Sequence, residues 1–480
     1  MRVIFVASEA APFAKTGGLA DVAGSLPKAL NSKEVTVEVF LPLHAKISND
    51  FRKEMAFIGE TEVTLGWRHQ YVGIFKMNYD GVTYYFIDNE FYFKRHMLYG
   101  DGDDAERYIY FSKAVLAALK FLDLKPDVIH THDWHTAAVN VLLDHYKNYD
   151  PFYDHIKTVF TIHNLRYQGV FDPFVLGDML NLPQEYFNED ALKFYDSINL
   201  LKGGIVYADH VTTVSKSYAH EITYPYFGEN LDGIIQKYQH KLSGIVNGID
   251  YEVYNPSTDP NIVIHFDKRS LNRKNELKMH LQIKFGLPVD PNIPMIGIVS
   301  RLVDMKGLDL VDHILEELLQ EDIQLVVLGT GEKKYEDMFK YFQYRYPHKL
   351  SARIYFDQYE SHAIYAGTDL FLMPSLFEPC GLSQLIALRY ASIPIVRQIG
   401  GLKDTVIPYN KFTGEGNGFC FVNYNAHELL FTIKEALAHY QDKSNWRLMM
   451  KHAMSADHSW KTSSKEYLAI YHKILGIKNS

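Results

Sequence analysis

Met295-Ile296-Gly297-Ile298-Val299 is an unbroken apolar run that gives way at once to Ser300-Arg301-Leu302-Val303-Asp304-Met305-Lys306-Gly307. Apolar residues without alternation fit a strand covered on both faces, as in a parallel sheet between helices. The same design recurs outward in both directions. Upstream, strands are predicted over 3–7, 35–41, 82–87, 127–130, 158–162, 210–214 and 244–246. Downstream they are predicted over 324–328, 353–356, 370–373 and 393–396. Amphipathic stretches separate them, which predicts βαβ units and open parallel sheets. Turn-formers cluster at Asn247-Gly248-Ile249-Asp250 and again at Asn255-Pro256 and Asp259-Pro260. The fold class expected is therefore α/β, with one lobe over 1–250 and a second over 251–458. The tail, 459–480, carries a helix from Ser459 with Tyr467, Ile470, Tyr471 and Ile474 on one face. That apolar face is expected to pack back onto a lobe.

Composition narrows the class of function. Lys and Arg total 49 against 58 Asp and Glu, a net charge of −9, which argues against a protein that coats nucleic acid or an anionic membrane. The two cysteines, Cys380 and Cys420, cannot build a disulfide framework, so a reducing cytoplasm is expected. The first seven residues are a short apolar run ending at Ser8-Glu9, without the long centre and cleavage site of a signal peptide. A transit peptide is not expected either, and no run is long enough to span a membrane.

Ligands of open α/β sheets bind beyond the carboxyl ends of the strands, so the polar residues there are the candidates. Lys15-Thr16-Gly17-Gly18-Leu19-Ala20-Asp21 follows the first strand and opens a helix. Its glycines would let backbone N–H groups approach an anion at the positive end of the helix dipole; the alternative is a flexible loop with a solvated lysine. It is neither a Walker A sequence nor a dinucleotide fingerprint. His130-Thr131-His132-Asp133-Trp134-His135 follows another strand. Zinc binding, sugar binding by Asp133, Trp134 and His135, and structural histidines are the three readings, and no further ligand set at metal spacing supports the first. Thr161-Ile162-His163-Asn164 offers either a functional histidine or one satisfied within the core.

In the second lobe Arg301 and Lys306 could together neutralise a diphosphate without a metal, or form a solvated basic loop. Gly329-Thr330-Gly331-Glu332 permits close backbone approach. Tyr355 could stack on a base or lie in the sheet core. Glu378-Pro379-Cys380-Gly381-Leu382-Ser383-Gln384 joins a carboxylate, a glycine and a hydroxyl before a helix, as a second cradle or as an ordinary cap segment. No histidine adjacent in sequence activates Cys380 as a nucleophile.

The order of these pieces is more specific than any one of them. Lys15-Thr16-Gly17-Gly18-Leu19, Asp133-Trp134-His135, Thr161-Ile162-His163-Asn164, Val246-Asn247-Gly248-Ile249-Asp250, Ser300-Arg301-Leu302 with Lys306-Gly307, and Glu378-Pro379-Cys380-Gly381-Leu382 together resemble the bacterial glycogen synthase and plant starch synthase family, from residue 1 to about 475. The resemblance implies a GT-B fold, two Rossmann-like lobes facing each other across a cleft, with the C-terminal helix crossing back to the first. It implies a retaining glucosyltransferase that moves glucose from ADP-glucose to the non-reducing 4-hydroxyl of an α-1,4-glucan. Lys15, Gly17 and Gly18 would approach the diphosphate and donor glucose, and Arg301 and Lys306 would hold the phosphates. Cys380, Gly381, Leu382 and Ser383 would assist, and Tyr355 would stack on adenine. Glu378 would bind the glucose 3- and 4-hydroxyls, with His163 next to the reacting carbon. Asp21, Tyr92, Asp133, His135, Asn164 and Asn247 would line the glucose and acceptor side. No metal and no cofactor beyond the donor are expected. The partners expected are the donor and the glucan, with neither nucleic acid nor membrane; a homo-oligomer is compatible with this.

Two departures bear on this. Related retaining transferases often carry a second glutamate eight residues after the first; here that position is Ile386, which favours the ADP-glucose branch. The turn Asn31-Ser32-Lys33-Glu34 lacks the Gly-His often found there. A carboxylate pair at glycosidase spacing is not evident, so same-face substitution is expected, with Glu378 orienting rather than attacking.

Overall fold

The computed structural model describes residues 1–477. The chain forms two compact units, one of Met1–Asn247 joined by the segment from Trp460 onward, the other of Gly248–Ser459.

In the first unit, nine strands form one sheet among the described residues. Its order is Leu242–Gly244, His210–Thr213, Lys157–Ile162, Val128–His132, Arg2–Val6, Thr36–Pro42, Val82–Asp88, Arg68–Tyr79 and Ala56–Leu65. Neighbours are parallel as far as Val82–Asp88. The last two strands are antiparallel, which corrects the expectation of a purely parallel sheet. This long hairpin turns at Gly66-Trp67, and its outer strand buries only Val63 and Leu65. A half-solvated strand carries alternating polar residues, so it has no unbroken apolar run to announce it.

Helices Gly18–Leu30, Asp104–Phe121 and Trp134–Lys147 pack beside the sheet, and so does the C-terminal helix Trp460–Leu475. Trp460, Tyr467, Ile470 and Tyr471 enter the same core as Val3, Phe5 and Val22. At about 1.5–3 kcal/mol for each fully buried large apolar side chain, this face is enough to hold the helix in place. Two bonds fix its register. Ser463 Oγ donates to Val246 O at 2.6 Å, and Tyr471 Oη lies 2.7 Å from His130 Nδ1.

The second unit has a six-stranded sheet, parallel throughout, in the order Leu350–Arg353, Gln324–Leu328, Met295–Val299, Leu370–Met373, Ile393–Arg397 and Phe419–Phe421. The strand expected over 353–356 ends at Arg353 instead. Tyr355 therefore lies in the following loop, 44% exposed, and is not sheet core. Among the described residues no helix is long and apolar enough to cross a membrane.

Candidate active site

In the first unit the polar groups gather at the carboxyl ends of three adjacent strands. Glu9, just beyond Arg2–Val6, is buried and accepts from Thr16 N–H and Thr16 Oγ, both at 2.6 Å. That pair of bonds shapes the Lys15–Gly18 turn. Helix Gly18–Leu30 has Gly17 as N-cap with no side-chain cap, so its first N–H groups are left to other partners. Lys15 Nζ lies 2.6 Å from Asp21 Oδ1, one turn into the helix. Burial pushes the Glu9 carboxyl up to about 7 and raises that of Asp21 despite its lysine.

Asp133 adopts φ 56° and ψ −179°, a region that side chains other than glycine's rarely enter. Its Oδ1 accepts from the backbone N–H of His163 at 2.7 Å and of Asn164 at 3.4 Å. The strained residue thereby ties the end of Val128–His132 to the end of Lys157–Ile162. Desolvation outweighs these bonds and raises the Asp133 carboxyl to about 7. His163, partly exposed, has Nε2 at 3.0 Å from His132 Nδ1, and burial lowers its pKa to about 3. His130 is bonded on both nitrogens, to Tyr471 and to Thr161. The rings of the His130–His135 segment thus serve three ends: His130 is structural, His132 contacts His163, and His135 faces Tyr99 at 4.3 Å. Asn164 Oδ1 accepts from Arg166 N–H and shapes its own turn. Asn247 is buried with Oδ1 unpartnered.

Tyr92 does not join this cluster. It is fully buried, stacked on Tyr110 at 4.4 Å, with its hydroxyl donating to Glu106 at 2.6 Å. Asn89 caps the short helix Glu90–Phe93, and that helical turn directs Tyr92 inward. Tyr99 lies in the cluster instead, its hydroxyl 2.8 Å from Ser8 Oγ and its ring against His135. Glu9, Ser8 and Tyr99 thus join the candidate residues, and sequence reasoning missed them. Ser8 and Glu9 directly follow a strand, the signal that found the others.

In the second unit, Lys306 Nζ donates to Glu378 Oε2 at 2.7 Å, and Ser375 Oγ donates to the same oxygen at 2.9 Å. Glycines make this possible. A Cβ on Gly307, where φ is +71°, would stand 2.0 Å from Pro374 O, so only a bare Cα lets the Lys306 turn close on the loop that leads to Glu378. On the far side, Gly401 N–H donates to Glu378 O at 3.1 Å. Arg301, just past Met295–Val299, is exposed, with no side-chain partner among the described residues. Its loop is tied to the next strand end by Leu302 N–H donating to Thr330 O at 3.0 Å. Cys380 is buried, and Gln384 Nε2 donates to the carbonyls of both Cys380 and Gly381 at 3.0 Å. Leu382 is the N-cap of the short helix Ser383–Arg389, with no side-chain cap. Tyr355 stands apart from the ion pair, its hydroxyl donating to Glu360 at 2.7 Å.

Comparison with known proteins places these two constellations in one family. Residues 2–237 match the family described as starch synthase catalytic domain, and 281–450 match glycosyl transferases group 1. A glycogen synthase from Clostridium acetobutylicum is 54% identical over 99% of this chain and 100% of its own. One from Desulforamulus reducens is 51% identical over 99% of both. Among solved structures, the catalytic domain of starch synthase IV from Arabidopsis thaliana, bound to ADP and acarbose, superposes with a TM-score of 0.92 at 33% identity over 99% of both chains. A sucrose-phosphate synthase from Thermosynechococcus elongatus, 15% identical with a TM-score of 0.63, shares the fold alone. With its two-domain GT-B-like architecture, the chain belongs to the glycogen synthase family of glycosyltransferases.

Proposed function

We propose that this protein transfers glucose from ADP-glucose to the non-reducing 4-hydroxyl of an α-1,4-glucan with retention at C1, elongating glycogen in the cytoplasm. The observation that carries the reading is the whole-chain likeness to a starch synthase solved with ADP and acarbose. The free thiols of Cys380 and Cys420 suit a reducing compartment.

The chemistry asks for positive charge where the phosphate departs. Arg301 and Lys306 supply it, and Lys15 adds to it. Before the donor arrives, Glu378 holds the Lys306 ammonium. The phosphates then compete for the ammonium, and the carboxylate accepts from the glucose 3- and 4-hydroxyls. Ser383 and the backbone of Cys380–Leu382 contact the phosphates, and Tyr355, already exposed, stacks on adenine. His163 lies beside C1, while Asp21, Tyr99, Asp133, His135, Asn164 and Asn247 line the sugar side. The C1–O bond to the phosphate breaks, the departing phosphate oxygen takes the proton of the 4-hydroxyl, and the new C1–O4 bond forms on the same face. No cofactor beyond the donor enters this scheme. Glu378 forms no covalent bond to glucose, so an intact-mass spectrum during turnover shows no added hexose; a hexose on Glu378 refutes same-face substitution.

Initial rates of nucleotide release with ADP-glucose and with UDP-glucose, each with and without glycogen, test the function. The reading expects release that requires glycogen and favours ADP-glucose. Release at equal rate without glycogen, with free glucose accumulating, contradicts it.

A further inference from the structure

We infer that His132, fully buried against His163, is a positioning residue that fixes His163 in the tautomer carrying its proton on Nδ1. The inference rests on the functional reading only for its catalytic consequence. His132 Nδ1 and His163 Nε2 are 3.0 Å apart, so one of them donates and the other accepts. The second nitrogen of His132 decides which. Nε2 is buried with no hydrogen-bond partner, and the ring is enclosed by Phe5 at 5.1 Å and His130 at 4.3 Å. His132 as a whole is 0% exposed.

A proton on Nε2 would be an orphaned N–H against the Phe5 and His130 rings, which folded proteins rarely tolerate; a bare lone pair there is the lesser cost. The proton of His132 therefore sits on Nδ1 and is donated to His163 Nε2. His163 Nε2 is then an acceptor, and the proton of its neutral ring is on Nδ1, since the hydrogen bond at one nitrogen sets the state of the other. Desolvation keeps both rings neutral, which is the state this argument requires. His163 Nδ1 has no protein partner among the described residues, and its ring is partly exposed, so the fixed N–H is available to an acceptor oxygen on a bound sugar. The backbone of the same residue is clamped by Asp133. Main chain and ring are thus oriented by two consecutive residues of the neighbouring strand end.

Long-range proton–nitrogen correlation spectra of histidine-labelled wild-type protein read the tautomer directly, with His163 assigned by its disappearance in His163→Gln. An Nδ1–H pattern for His163 supports the inference, and an Nε2–H pattern overturns it whatever reaction the protein catalyses. Kinetics test the consequence. His132→Leu removes the donor and an unsatisfied nitrogen together, so melting temperature is retained while kcat falls about tenfold or more with little change in KM. His132→Asn, whose amide can reach the same place as Nδ1, recovers most of that loss. Equal loss in both variants with a lowered melting temperature would mean that His132 only fills space. A wild type that extends no glucan sinks the functional reading, and the spectrum still decides the tautomer.

Discussion

The two strand-end clusters treat charge in opposite ways. In the first unit, burial brings Glu9 and Asp133 up to about 7 and takes His163 down to about 3. Desolvation holds the groups there close to neutrality, against the backbone bonds that favour the charged carboxylates. In the second unit, Lys306 and Glu378 stand 2.7 Å apart as an ion pair, with Arg301 exposed nearby in sequence. In the proposed function, the near-neutral, hydrogen-bonded surface meets the hydroxyl groups of the sugar. In the proposed function, a paired and an exposed cation together receive a diphosphate. The carboxyl ends of parallel strands thus carry either kind of environment, and the side chains after the strand decide which.

The largest effect is expected where charge meets the leaving group. Lys306→Ala should lose more than ~3 kcal/mol of transition-state stabilisation, over a hundredfold in kcat/KM. Near-normal turnover would remove the distinction between the clusters. Next comes Glu9→Gln. Native Glu9 keeps its proton up to about 7, while the unfolded chain releases it near 4.5. Between those values the folded state binds more protons, so this group's contribution to stability is full below 4.5 and is lost as pH rises through 7. Glu9→Gln lacks that loss, and should gain on wild type by roughly 2–3 kcal/mol between pH 4.5 and 7 in denaturant titrations. A difference that does not vary with pH would show that Glu9 is not held protonated.

Two smaller tests compare backbone designs. Gly307→Ala should destabilise the second unit by more than ~1 kcal/mol, through its positive φ and the clash with Pro374 O, and thermal unfolding measures it. Asp133→Gly should leave stability within about 1 kcal/mol of wild type, because relief of the backbone offsets the lost acceptor. Turnover should nevertheless fall as the His163 segment loosens. A large stability loss with normal kcat would assign Asp133 to folding alone.

Much of this molecule was legible because parallel strands are continuous apolar runs and the polar residues after them are few. Met295–Val299, Gln324–Leu328 and Leu370–Met373 are bounded as the sequence predicts. The hairpin Ala56–Leu65 and Arg68–Tyr79 was not, since one face meets solvent and its sequence reads like loop. Tyr92 and Tyr99 lie seven residues apart in an aromatic-rich stretch, and resemblance alone could not fix their phase. The Asn89 cap, readable as a helix start, separates them physically. The Lys306–Glu378 pair spans 72 residues and depends on Gly307, so only the fold shows that these two charges meet. Neutrality of the histidine cluster is likewise a property of burial, which composition does not reveal.

The most direct test is a proton NMR spectrum of the products formed from ADP-glucose and a short α-1,4-linked maltooligosaccharide. The account predicts ADP and a chain one glucose longer in equal amounts, with the new anomeric signal in the α region. A β-anomeric signal, or ADP accompanied by free glucose and an unextended acceptor, would contradict it.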